Sequence, residues 1–230
     1  MFFVSPAFAQ DVSISLGDEA SLSGRAMQLI ALMTVLSLAP GIAIMVTCFP
    51  FIVTVLSILR QAIGLQSAPP NMLIVSLALF LTYFVMDPVF TASWEAGLKP
   101  LNDGLLTVEE AIPKALEPFR GFMAARLDLE TFQTLAELRP GQAGTGPPRE
   151  ASLSILVPSF MLSEIERAFQ IGFLVFLPFL IIDLVVSAVL MSMGMMMVPP
   201  AIVSLPFKLA FFVVADGWSL ISSALVRSYL

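Results

Sequence analysis

The sequence has 230 residues, 58% of them hydrophobic and only 12% charged, with a mean hydropathy of +0.94; soluble domains carry roughly 25% charged residues, so the composition excludes that class and indicates a membrane protein. The formal charge of −6 at pH 7 comes with no basic patch suited to nucleic acid, and the absence of histidine removes the commonest general base and the commonest metal ligand. The single cysteine, Cys48, lies in an apolar run, can form no internal disulfide and reads as a small buried hydrophobe.

Taken in order, residues 1–25 form an N-terminal segment. Ala7-Phe8-Ala9 has the small-x-small form of a signal peptidase site, and the polar stretch 11–23 after it suits a mature exported N-terminus. The apolar part before Ala7 is short for a signal core and has no basic residue ahead of it, so an apolar tail is the competing reading. Residues 26–59 carry no charge at all, far more than the roughly 20 residues one crossing needs. Pro40-Gly41 and Pro50 are expected to break this run, because proline removes a backbone donor and clashes with the preceding turn. That gives a helix near residues 27–38, a break, and a second piece through Leu59. A short loop over residues 60–71 follows, with Gly64 and the turn Ala68-Pro69-Pro70. The next apolar segment, residues 72–86, is expected to close at Asp87-Pro88 or to run on to Trp94 at the interface. Residues 26–94 thus form a first hydrophobic hairpin.

Residues 95–167 hold most of the charge. Thr107-Val108-Glu109-Glu110 has the form of a capping box, and Pro113 and Pro118 would keep the helix it starts short or kinked. Leu127, Phe132, Leu135 and Leu138 mark an amphipathic helix over residues 128–138, and residues 141–148 form a Gly/Pro-rich linker. The region reads as a small helical domain without catalytic motifs. Residues 168–230 form a C-terminal hydrophobic hairpin, turning at residues 195–200, with Pro178 and Pro206 as further expected helix breaks. The expected fold is therefore all-α and of integral-membrane type, with four hydrophobic segments in two broken hairpins and one polar domain between them. If a signal is removed, the mature N-terminus and the polar domain lie outside the cytoplasm, and Arg60 and the methionine-rich turn lie inside.

Four charges, Glu164, Asp183, Lys208 and Asp216, stand in or beside apolar sequence. A lone charge at mid-membrane costs about 3 kcal/mol on insertion scales. Three acids and one base cannot all pair, which points to contacts between subunits, to water or to protonated carboxyls. Glu164 and Lys208 flank the C-terminal hairpin and could meet across a subunit boundary; lysine snorkelling to water is the plain alternative. Met191, Met193, Met195, Met196 and Met197 make the densest methionine cluster, placed in a turn by Gly194 and Pro199-Pro200. Methionine is unbranched and soft, so a ring of such side chains can close a pore yet yield to a moving polypeptide; a methionine stripe is also ordinary core filling. Broken helices with buried acids also suit a small-solute transporter subunit, although the halves share no repeat beyond their proline breaks.

The chain resembles the FliP family. The resemblance rests on Ser37-Leu38-Ala39-Pro40, residues 55–64, Pro69-Pro70-Asn71, Met86-Asp87-Pro88-Val89, Pro158-Ser159-Phe160, Ser163-Glu164, Phe169-Gln170-Ile171-Gly172-Phe173, Pro178-Phe179-Leu180, Met193-Gly194-Met195-Met196-Met197, Leu205-Pro206-Phe207-Lys208-Leu209 and Asp216-Gly217-Trp218. It covers nearly all of residues 27–226. The resemblance implies a non-enzymatic core subunit of the flagellar type III protein export gate, without cofactors, in the bacterial inner membrane at the flagellar basal body; the injectisome counterpart, SctR, is the alternative. It implies assembly as five copies with FliQ-like and FliR-like subunits, contact with FlhB-like and FlhA-like export components, and unfolded secreted polypeptides as cargo. It places a pore gasket on Met195, Met196 and Met197, and contacts between neighbouring subunits at Glu164 and Lys208. The chain departs from the family pattern where Phe122-Met123 is followed by Ala124-Ala125-Arg126-Leu127-Asp128 rather than a basic run, and where Ile165-Glu166 follows Ser163-Glu164 in place of a lysine.

Overall fold

The computed structural model describes residues 19–65, 69–139 and 146–229. The expected signal remnant at residues 1–10 and most of the 141–148 linker lie outside them. Every regular element among the described residues is helical: α1 (Glu19–Met45), α2 (Phe49–Ile63), α3 (Asn71–Ser93), a π-helical turn (Trp94–Leu98), α4 (Lys99–Asn102), α5 (Val108–Arg126), α6 (Leu129–Glu137), a 3-10 turn (Pro148–Glu150), α7 (Leu153–Ser192), α8 (Pro200–Val214) and α9 (Gly217–Arg227). Among the described residues, three stretches are long and apolar enough to cross a membrane: Gly24–Met45, Asn71–Asn102 and Leu153–Ser192. α8 and α9, bent by 61° at their junction, make a fourth if taken as one. The fold is all-α and of membrane type.

The chain divides into two units, Met1–Ile42 and Ala43–Leu230. The described part of the first is helix α1, apolar around its circumference, with Met27, Ile30, Met33 and Leu36 all exposed. In the second unit, α2 is the centre. It is too short to span a bilayer, yet Phe51, Ile52, Val55, Leu56, Leu59, Ala62 and Ile63 are buried in a core cluster that draws on α3, α7, α8 and α9. A second cluster joins Met123 and Leu127 of the α5 end, Phe132 of α6, and Ile155, Leu156 and Phe160 of α7. Phe119 and Phe122 pack against both. Close crossings fix the helices: a Cβ at Gly172 would lie 2.4 Å from Ile58 Cδ1, so α7 meets α2 there, and one at Gly97 would lie 2.7 Å from the Ala111 carbonyl oxygen, so the π-helical turn meets α5.

The helix breaks fall elsewhere than proline predicts. α1 runs through Pro40, α7 through Pro178 and α8 through Pro206. Each proline removes one bond from a ladder whose flanking turns keep theirs, and in α7 and α8 the packed neighbouring helices support the turn around it. α3 likewise runs past Asp87-Pro88, and α5 reaches 19 residues through Pro113 and Pro118. Pro50 starts a helix: it sits in the first turn of α2, where its missing N–H would have had no partner. The real break between α1 and α2 is at residues 46–48, where the Thr47 hydroxyl donates to the Ile44 carbonyl at 2.9 Å and accepts from the Phe49 N–H at 3.4 Å. The other unexpected break is at Asp216, which adopts φ 48°, a left-handed conformation that aspartate tolerates better than most residues. The expected loop from Arg60 starts later, at Gly64 (φ 89°), and Arg60 lies in the last turn of α2, bonded to Asn71.

Local signals hold. The Thr107 N–H donates to Glu110 Oε2 at 3.0 Å, and Asp128 caps α6 by accepting from the Thr131 N–H at 2.8 Å. Leu127 and Phe132 face the core as the pattern predicts; Leu138 caps α6 and is exposed.

Candidate functional site

α7 has 40 residues, so at about 1.5 Å per residue it is about 60 Å long, twice a hydrocarbon core of about 30 Å. It ends at a stop made by Gly194, whose φ of 72° a side chain would strain. The Met195 N–H donates to the Leu190 carbonyl at 3.0 Å and the Gly194 N–H to the Met191 carbonyl at 3.1 Å, the two bonds that close a glycine-terminated helix. Pro199 and Pro200 then start α8 directly. The turn between is therefore fixed in backbone while its side chains stand out: Met196 is 85% exposed, Met197 97% and Met195 41%. Behind it, α7 and α8 enclose an apolar groove of about 550 Å³ lined by Ile181, Val185, Val189, Met193, Met195, Val203 and Phe207. A tip of three soft apolar side chains on a rigid hairpin can press against other apolar surface and repack as that surface changes.

Two charge clusters anchor this hairpin. In the first, Lys208 of α8 donates to Asp183 Oδ2 of α7 at 2.6 Å and to the Ala62 carbonyl at the end of α2 at 3.1 Å. The Ser204 hydroxyl donates to Asp183 Oδ1 at 2.6 Å. The Lys208 side chain is 8% exposed, so the ammonium answers both a carboxylate and the negative end of the α2 dipole away from bulk water. This ties α2, α7 and α8 at one point.

In the second, Glu164 of α7 is fully buried. It accepts from Arg126 Nε of α5 at 3.3 Å, from Arg167 Nη1 at 3.5 Å and from the Tyr229 hydroxyl. Arg126 also donates to the Ser228 carbonyl at 2.8 Å and lies 4.0 Å from the Tyr229 ring centre, while its Nη2 is buried without a partner. Beside Glu164 in sequence, the Ser163 hydroxyl accepts the Asp128 N–H at 2.8 Å and joins α6 to the same helix.

The structure thus does not bring Glu164 and Lys208 together within the chain; each has its own partners. The count that left the acids short of bases included only charges inside apolar segments, whereas Arg126 is folded in from α5. Sequence reasoning missed Arg126, Arg167 and Tyr229 as site residues. Arg126 had left one trace, as a charge where the family run is altered. Asp216 caps α9 by its backbone conformation, with no hydrogen bond from its side chain to the cap. Among the described residues no three His, Cys, Asp or Glu side chains converge as a metal site.

The sequence matches the FliP family over residues 32–225. It is 52% identical over 227 residues to the flagellar biosynthetic protein FliP of Caulobacter vibrioides, covering 97% of this chain and 84% of that one. It is 47% identical over 214 residues to the protein of the same name from Agrobacterium fabrum, covering 92% of this chain and 86% of the relative. The Bacillus subtilis protein of that name is 47% identical over 206 residues, 88% of this chain and 91% of its own.

Proposed function

The chain belongs to the FliP family, and from that premise we propose that this membrane-embedded component of flagellar biosynthesis is a core subunit of the type III export gate that conducts unfolded polypeptides. The observation that carries the proposal is the methionine tip: Met195, Met196 and Met197 stand exposed on a backbone closed by Gly194, at the end of a helix longer than a membrane is thick. Several such tips around an axis make a gasket. Apolar side chains exclude water and ions, and unbranched thioethers yield to a passing chain of any sequence.

The gate contains copies of this chain, five in the reading given above, with FliQ-like and FliR-like subunits. FlhB-like and FlhA-like components deliver cargo. The exposed apolar faces of α3 and of the far half of α7 are the surfaces those neighbours and lipid cover. Glu164 and Lys208 act at subunit boundaries by holding those faces in place through their own partners. The region over residues 95–167 forms the periplasmic domain, and the assembly sits in the bacterial inner membrane at the basal body.

The test is mild-detergent purification of the tagged chain, co-expressed with its FliQ-like and FliR-like neighbours, followed by native mass spectrometry. A large complex with several copies of this chain is expected. A stable monomer or dimer that ignores those partners would overturn the gate reading and favour a solute transporter, with Asp183 as the residue to change.

A further inference from the structure

Residues 228 and 229 lie beyond the stretch that matches the family, residues 32–225, yet Tyr229 stands at the junction of three helices. Its ring packs edge-on against Phe51 of α2 at 5.5 Å and stacks on Phe122 of α5 at 6.0 Å. Its hydroxyl donates to the buried Glu164 of α7, and the Arg126 guanidinium covers its face. The backbone is held too, through the Ser228 carbonyl and Arg126. Burial, with the negative charge of Glu164 added, pushes the Tyr229 phenol above its usual value, so it remains a protonated donor. These are the contacts of a clasp: one short segment, leaving α9, closes on α2, α5 and α7 at once.

The geometry points to a latch in which Ser228 and Tyr229 close over Glu164 and fasten α9 to α5 and α7, and in which their release frees the α9 end while α2 stays folded. The segment is built for separate release. It is one turn of chain beyond α9 and covers no long ladder of backbone bonds. Its strongest bonds run to Glu164, which keeps Arg126 and Arg167 when Tyr229 leaves. With the latch closed, the α8–α9 arm is held at both ends, by Lys208 on α2 and by Tyr229 on Glu164. With it open, the arm keeps Lys208 and the buried Phe212 and Leu225, and the end beyond Leu225 is freed.

The chain carries its own reporter. Cys48, its single cysteine, is fully buried in the same core cluster as Phe51 and Tyr229. Glu164 and Arg126 are near enough for their charges to register on its thiol, which burial pushes up to about 12. A closed latch therefore leaves a dry, protonated and unreactive thiol.

The experiment is the rate of N-ethylmaleimide labelling of Cys48 in the full chain in detergent micelles, with helix content followed by circular dichroism. Removing one hydrogen bond to a charged group together with its ring contacts is expected to raise labelling about tenfold or more in Tyr229→Ala and on deletion of residues 228–230, with helix content retained. Tyr229→Phe, which keeps the ring, is expected to give a smaller rise. Wild-type rates in Tyr229→Ala and in the deletion would overturn the latch. Should they fail to fold, the wild type decides: labelling is expected to depend less steeply on added denaturant than amide exchange in α2, as a local opening does. Equal dependence would mean that Cys48 is reached only by global unfolding, and would overturn the proposal as well.

Discussion

The two halves of α7 differ in sequence and in the fold: residues 153–172 carry Glu164, Glu166 and Arg167, residues 173–192 only Asp183. Up to Gly172 one face of the helix is buried: Leu156, Ser159, Phe160, Ser163, Glu164 and Ala168 pack against α2, α5 and α6. Beyond it, Ile181, Leu184, Val185, Val189 and Met191 stand exposed. The more apolar half is the more exposed one, the reverse of a soluble core, and what separates them in the fold is the partner. The near half finds its partners in its own chain and can therefore hold a buried carboxylate, because Arg126 and Arg167 come with them. The far half is as apolar as a core, yet beyond Phe179 most of its apolar side chains stand exposed, which is the condition of a surface completed by another subunit or by lipid.

The sharpest way to break the comparison is at the buried charge. Glu164→Ala leaves Arg126 and Arg167 facing each other without an anion, and is expected to cost about 3–5 kcal/mol in denaturant unfolding. Val185→Ala, in the exposed half, is expected to stay within about 0.5 kcal/mol by the same measurement. Equal effects would erase the distinction between the halves. At the anchor of the far half, Lys208→Met breaks a pair whose acid is a third exposed, so water screens part of the loss; about 2 kcal/mol is expected. The double change Asp183→Leu with Lys208→Met should recover most of it, since both charges then leave together. Gly172→Leu, at the boundary between the halves, forces a side chain onto Ile58 and is expected to cost about 1–3 kcal/mol. A double-mutant cycle with Ile58→Ala should return part of that cost.

The smallest effect lies away from α7, at the start of α5. The Thr107 N–H holds the Glu110 carboxyl below its ordinary 4.5. A depressed folded pKa contributes stability that is present above the ordinary value and is lost as pH falls through the folded one. The Thr107 amide resonance is therefore expected to titrate below pH 4.5, with local fraying of α5, and Glu110→Gln should flatten that titration.

What was legible in the sequence was local. The capping of α5 by Glu110 was readable because the signal lies within one turn of the helix it starts. The glycine stop at Gly194 was readable for the same reason. The breaks were not. Proline marks where one backbone bond is lost, but the chain bends where tertiary packing turns it, at Thr47 and Asp216, and neither signals that by residue type alone. The charge clusters were half legible: Glu164 and Lys208 stand out against apolar sequence, while their partners lie 38 residues away at Arg126 and 146 residues away at Ala62, separations that no local pattern spans.

The central claim is that the far end of α7 seals a protein-conducting pore. The direct test is ion leak across the membrane of cells or vesicles carrying the assembled complex, with Met195, Met196 and Met197 replaced together by alanine. The account predicts normal assembly and a leak absent from the wild type, since Met196 and Met197 stand almost wholly exposed and Met195 only edges the groove. An alanine triple variant that assembles normally and seals as tightly as the wild type would contradict it.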